Sequence, residues 1–357
     1  NHFHNDSISY GNLYVTQMVE DGQGSLFLLT STGLFQFDLE TEKYYILPVP
    51  SPSTLAKGKL GVWIAEGGKL FLYDKNTRSV KPMYAEVHLP DTGPTMVEGS
   101  EGNLWVALKD GGVMRVDTCG SMSLYLPGIK VMKLIKSNDQ NIWIGSQDQG
   151  VFCLNMDSVR FPCSNYIDEI DPGILVFATQ KDGLYVYNLN TGQKKQISAA
   201  DLGVPADKSL SITSFCRDSE HNLWMTTERQ GLLSVDKHWK MRKQHLSHTK
   251  VHSDKLYFVA KQNEERLWVI GAHKLYLFDP KEEQLHTFDN NNGLRLTDMD
   301  ASSLIDSANR FWILGNTGYI MVDNRNFMLN DIPASVILTT LRINNKLQRP
   351  CEGSVLD

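Results

Sequence analysis

Gly102-Asn103-Leu104-Trp105-Val106-Ala107 is followed after a short loop by Gly112-Val113-Met114-Arg115-Val116-Asp117. The same couplet returns twice. Asn141-Ile142-Trp143-Ile144-Gly145 leads to Gly150-Val151-Phe152-Cys153-Leu154-Asn155, and Asn222-Leu223-Trp224-Met225-Thr226 leads to Gly231-Leu232-Leu233-Ser234-Val235-Asp236. A polar turn, an apolar run centred on tryptophan and a Gly-led apolar run ending at Asp or Asn therefore form one repeated unit. Gly and Asn tolerate positive φ, so the turn before each tryptophan is expected to be tight.

Working outward, weaker copies centre on Phe27, Trp63, Phe177, Trp268 and Trp312. With Trp105, Trp143 and Trp224 these make eight blade anchors, spaced 34 to 47 residues apart. Six of the seven tryptophans occupy this position; only Trp239 stands outside it. In the third unit, residues 94–98, 104–108, 112–117 and 121–126 read as four strands. Short β-rich runs at such spacing imply an all-β fold. A period near 40 residues selects a β-propeller of four-stranded antiparallel blades, because a sandwich has no reason to repeat. A lone four-stranded sheet cannot cover both its faces, whereas blades packed radially can, with the anchor aromatics in the interfaces. Eight units imply eight blades, or seven plus a unit from a neighbouring module. The fifth unit is the poorest copy, with an irregular first strand over 166–170.

Composition narrows the function classes. The chain of 357 residues is 41% hydrophobic and 21% charged, with a formal net charge of −6. No Lys/Arg-rich face suggests nucleic-acid binding, and no apolar run is long enough to span a membrane. The five cysteines (Cys119, Cys153, Cys163, Cys216 and Cys351) form no CxxC pair, which argues against a zinc ribbon. They read as small buried hydrophobes, with a Cys153–Cys163 bridge left open. His245, His248 and His252, with His238 upstream, have a spacing that could serve zinc on a helix. They fall instead in a polar stretch, 236–253, read as a solvated connection, so neither metal nor cofactor is expected. Asp21, Asp218 and Asp306 open turns that resemble the Asp boxes of sialidases. The arginine cluster and Tyr/Glu pair of those enzymes cannot be assembled, and such aspartates are expected to bond their own backbone. No GxSxG elbow, P-loop or HExxH motif occurs.

After the last unit the texture changes. Residues 1–332 read as the propeller. Residues 333–357 read as a linker and a new strand, Val336 to Asn345, whose edge must be exposed or paired. The unit at Asn141 to Asn155, Gly102 to Asp117 and His221 to Asp236 resembles the two-component-regulator propeller repeat. The tail resembles the first strand of the Tyr-rich Ig-like domain that follows such propellers. The resemblance spans about residues 10 to 345. It implies the periplasmic sensor region of a hybrid two-component histidine kinase/response regulator of gut anaerobes. On that reading the chain is a non-catalytic fragment, with a neighbouring propeller, a truncated Ig-like domain and a homodimer as partners and an oligosaccharide as ligand. Propellers of the family usually have seven blades.

In an up-and-down meander the loop between strands two and three shares a face with the connections between blades. Those loops vary chemically: Glu66; Lys109 and Asp110; Gln147, Asp148 and Gln149; Gln180, Lys181 and Asp182; Glu228, Arg229 and Gln230; His273; Asn316. Acids, amides and cations around a funnel, with Tyr257 and Trp239 nearby, suit a sugar, so this face is expected to recognise the ligand. Two other classes stay open: a propeller lyase or glycoside hydrolase, and a protein-interaction scaffold.

Overall fold

The computed structural model describes residues 8–11, 14–74, 76–146, 148–154, 156–162, 164–179, 183–205, 210–245, 255–289, 294, 299, 303–315, 318–329, 341–343 and 346–348. Among them every regular element is a strand, and thirty-two strands form eight four-stranded antiparallel blades. Blade 1 is Val15–Glu20, Ser25–Thr30, Gly33–Asp38 and Lys43–Leu47; blade 2 is Thr54–Lys57, Gly61–Glu66, Lys69–Asp74 and Ser79–Met83. Blade 3 is Thr92–Glu98, Leu104–Leu108, Val113–Val116 and Met122–Tyr125; blade 4 is Val131–Lys136, Ile142–Ser146, Val151–Cys153 and Met156–Phe161. Blade 5 is Ser164–Asp171, Ile174–Thr179, Leu184–Asn188 and Lys194–Ile197; blade 6 is Ile212–Arg217, Leu223–Thr227, Leu232–Val235 and Met241–His245. Blade 7 is Leu256–Lys261, Leu267–Gly271, Leu275–Asp279 and Gln284–Phe288. Blade 8 takes Leu304–Ile305, Arg310–Gly315 and Gly318–Asp323 from the end of the ring and its outer strand, Ile8–Gly11, from the beginning.

That last pairing decides the blade number. Ile8 lies opposite Val322 and Gly11 opposite Tyr319. Eight apolar clusters follow, one at each junction of consecutive blades, including blade 8 with blade 1 through Trp312, Tyr319, Leu26 and Phe37. All eight repeats thus close one ring.

Seven of the eight anchors face the next blade. Trp143 packs toward blade 5, for example, and Trp224 toward blade 7. Phe177 is the exception and a correction to the sequence reading. It faces back to blade 4, stacking on Phe161 at 4.4 Å and lying 5.7 Å from Trp143. The residue equivalent to the tryptophans is Val176, because in six of the eight blades a left-handed turn residue sits three positions before this site: Gly24, Gly102, Gln140, Gly173, His221 and Asn309. A one-residue slip in a strand turns a side chain to the other face. Blade 5 therefore offers blade 6 a valine, in a cluster that also holds buried Leu202, Val204 and Leu210 from the connection and the partly buried Trp239 and Met241. The strand Ser164–Asp171 also carries two register breaks, as its irregular sequence suggested.

The repeated turns have defined structural jobs. Positive φ falls on Gly102 and His221 rather than on Asn103 and Asn222. The Asn222 amide instead donates to Asp218 at 2.8 Å. Gly150 and Gly183, which lead third strands, have φ of 87° and 89°, and a Cβ on either would sit 2.1 Å from a backbone oxygen. Asp21, Asp218 and Asp306 each accept backbone N–H groups two and four residues on. Beyond the ring, Leu341–Ile343 pairs with Lys346–Gln348 as a separate two-stranded hairpin. The tail strand thus meets its own continuation; residues 336–340 and Cys163 lie outside the described residues.

Candidate functional site

The ring has a connection face, carrying the strand-two-to-three loops and the links between blades, and a turn face. Hydrogen bonds tie the first set together. Ser51 N donates to Glu66 Oε1 at 2.7 Å. Lys109 N donates to Asp91 O, and Glu228 N to Ser211 O, both at 2.9 Å. Lys255 forms an ion pair with Glu228 and lies over the Tyr257 ring at 5.5 Å. Glu66 and Glu228 are thus spent on holding connections in place. Gln149 and Gln230 use their backbone N–H groups on Ser146 and Thr227 hydroxyls. Asp110, Asp148, Arg229 and His273 are exposed on this face. Gln147, Gln180, Lys181, Asp182 and Asn316 lie outside the described residues.

Trp239 is placed differently from its sequence expectation. It lies in the turn between the third and fourth strands of blade 6, on the face opposite Glu228 and Arg229. The stretch read as one solvated connection also divides: Asp236 to Lys240 is a tight turn, and Met241–His245 is a strand. His245 lies between Trp224 and Phe278, with ring centroids 4.9 and 5.3 Å away. His248 and His252 lie outside the described residues.

Among the described residues, cavities open between blades, two on the turn face and one along the outer rim that reaches the blade 5–6 connection. One of about 500 Å³ between blades 6 and 7 is lined by Trp224, Arg242, His245, Glu264 and Arg266, among others. A second of about 290 Å³, between blades 3 and 4, includes Glu101, Trp105, Arg115 and Tyr125. A third of about 400 Å³ sits on the outer rim between blades 5 and 6, lined by Lys195, Gln196, Ile197, Asp201 and His238 to Met241. Mixed charges beside aromatic rings can hold a polyhydroxylated ligand through bidentate hydrogen bonds and stacking. The sequence reading missed Lys195, Asp201, Arg242 and Arg266, which stand in ordinary strand and turn positions. The one available signal was Trp239, the tryptophan outside the repeat.

On the inner strands the Lys133 ammonium lies 4.5 Å from the Tyr166 ring centroid. Burial pushes Lys133 below the ordinary lysine range, partly opposed by Asp168. Burial likewise pushes the Tyr166 phenol up.

No family model matches the chain, and no curated protein matches it in sequence. Solved structures do resemble it. BamB from Moraxella catarrhalis is 11% identical with a TM-score of 0.60, covering 91% of this chain and 98% of that one. YCF48 bound to D1 peptide is 11% identical with a TM-score of 0.55, covering 94% and 98%. The extracellular domain of a hybrid two component system from B. thetaiotaomicron is 14% identical with a TM-score of 0.48; the chain is covered over 94% and spans 55% of that domain. At these identities the likeness to BamB and YCF48 shows a shared propeller fold and nothing narrower.

Proposed function

We propose that this chain is a non-catalytic ligand-sensing propeller of a hybrid two-component signalling protein. It works outside the cytoplasm, in the periplasm, and detects an oligosaccharide. The observation that carries the reading is the closed ring. Ile8–Gly11 completes blade 8, so no blade needs the chain beyond residue 329, and the hairpin Leu341–Ile343/Lys346–Gln348 stands as a separate sheet. A complete propeller followed by new β-structure supports the resemblance carried by the Trp-centred repeats, in which an Ig-like domain follows the sensor propeller, although its eight blades depart from the seven usual there. Five of the acids that the sequence singled out have structural jobs, which weighs against their acting as a hydrolytic pair. A glycosidase needs two carboxylates about 5–10 Å apart and free to act. Glu66 and Glu228 hold connections, while Asp21, Asp218 and Asp306 lock turns. A ring this regular signals by preferring one arrangement of its neighbours, a second propeller, the Ig-like domain or another protomer, when ligand is bound.

Calorimetry of the intact sensor region against host and plant oligosaccharides, with product analysis of each mixture, tests this. Saturable binding without turnover is expected. Turnover of a glycan without a binding isotherm would sink the sensing reading.

A further inference from the structure

Trp239 is held in a backbone conformation that tryptophan rarely adopts. Its φ is 66°, in the left-handed region where a bulky residue is a true outlier. The turn is otherwise a copy of one in blade 3. Asp236 Oδ1 accepts the N–H groups of His238 and Lys240, and Trp239 N donates to Asp236 O at 2.9 Å. Asp117 Oδ1 likewise accepts from Cys119 and Ser121, and Gly120 N donates to Asp117 O at 3.0 Å. Blade 3 thus places Gly120, with φ of 87°, where blade 6 places Trp239. The ring packs in part against the blade 5/6 core, and a large aromatic kept at a strained position where glycine would serve points to a further use for its exposed part.

The surroundings supply that use. Trp239 borders the 400 Å³ rim cavity with Lys195, Gln196, Asp201, His238 and Lys240, a volume within the range of small-ligand sites. The guanidinium of Arg217 lies 5.2 Å from the ring centroid, and Asp171 holds Arg217 at 2.7 Å, so the indole is fixed. The Asp201 carboxylate is taken up by the backbone and hydroxyl of Ser198. That leaves two ammonium groups against one carboxylate along the cavity, with Lys195 Nζ donating to the His238 carbonyl at 3.3 Å, so the lining is net positive in a chain whose overall charge is −6.

We propose that this cleft between blades 5 and 6 is a saccharide subsite, with a sugar ring stacked on Trp239 and an acidic substituent, carboxylate or sulfate, met by Lys195 and Lys240. The site rests on the oligosaccharide-sensing reading and gives it a place and a ligand class. A preorganised aromatic plate stacks a pyranose with little loss of side-chain freedom, and the ammonium groups select an anionic sugar over a neutral one.

The test is calorimetry on the intact sensor region with three probes: an oligogalacturonate, a sulfated disaccharide and a neutral oligosaccharide. Binding of one acidic probe is expected, and which one binds distinguishes carboxylate from sulfate. Trp239→Gly should weaken it at least about tenfold through lost stacking. Trp239 also packs against the blade 5/6 core, so Trp239→Gly should lower Tm by a few degrees, and the lysine double variant below, made at exposed side chains, tests the site without that cost. Trp239→Phe should retain most of the affinity. The Lys195→Gln, Lys240→Gln double variant should weaken binding and flatten its salt dependence. Wild-type affinity in Trp239→Gly would overturn the site while leaving sensing intact. Equal or tighter binding of the neutral probe would overturn the acidic class. No binding of any glycan by the wild type would overturn the sensing reading and the subsite together.

Discussion

Asp306 accepts the indole N–H of Trp312 through Oδ2 at 2.8 Å. Its other oxygen takes the backbone N–H groups of Ala308 and Arg310, both at 2.9 Å. One carboxylate thus locks a turn and fixes the blade tryptophan, and Asp218 does the same for Trp224. Asp306 and Arg310 are buried, with Arg310 also reaching Glu42 and the Leu39 carbonyl. Asp306→Ala strands a buried indole N–H and removes the buried carboxylate beside Arg310, whose guanidinium then keeps Glu42 and the Leu39 carbonyl. Urea unfolding should show a loss of about 3–5 kcal/mol, the range for breaking a buried ion pair. A loss below about 1 kcal/mol would mean that the clamp is not a stability determinant.

Val176→Phe would restore an aromatic at the repeat position that blade 5 lacks. Sequence consensus alone would favour it. Val176 already sits in a buried cluster against which Trp239 and Met241 pack. Overpacking should therefore destabilise the protein by about 1–3 kcal/mol in a chemical melt. A stabilised variant would show that the cluster can move aside.

Lys133→Met should stabilise the protein at neutral pH, and the gain should shrink as pH rises. The reason is the sign of the lysine's shift. Burial holds Lys133 below its ordinary value of 10.5 in the folded state. Between the folded value and 10.5 the unfolded chain binds more protons, so wild-type stability rises with pH there. Methionine removes that dependence while keeping a contact with the Tyr166 ring. Thermal melts of both proteins from pH 7 to 11 check it; parallel curves would refute the assignment.

The cysteines should separate under alkylation. Cys119 is exposed. Cys216 lies on an inner strand, and burial pushes its thiol up to about 12. Only the thiolate reacts, so peptide mass spectrometry after brief iodoacetamide treatment at pH 8 should find Cys119 modified and Cys216 untouched. Early modification of Cys216 would show that the inner strands open readily.

Most of the ring could be read from local chemistry. The third unit shows why: Leu104–Leu108 matches its expected bounds, and the flanking strands differ by a residue or two, because each is bracketed by turn residues with strong backbone preferences. Phe177 shows the limit. An aromatic beside Val176 looks like the anchor, but a period of two makes one position the difference between facing blade 6 and facing blade 4. The candidate site was less legible. Glu66 and Glu228 look like free ligand groups in sequence, and only the fold brings Ser51 and Lys255 against them. Lys195 and Lys240 sit in unremarkable strand and turn positions, and their convergence is a matter of how blade 5 leans on blade 6.

The sequence by itself determined the repeat: a Trp-centred strand, a Gly-led strand and the turns between them, since these depend on side-chain burial and φ within one unit. Tertiary structure alone decided the blade number and the surroundings of Trp239. Closure depends on Ile8–Gly11 pairing with Gly318–Asp323 across the whole chain. The rim cleft depends on two blades meeting. Neither relation is local, and no pattern within a single unit encodes it.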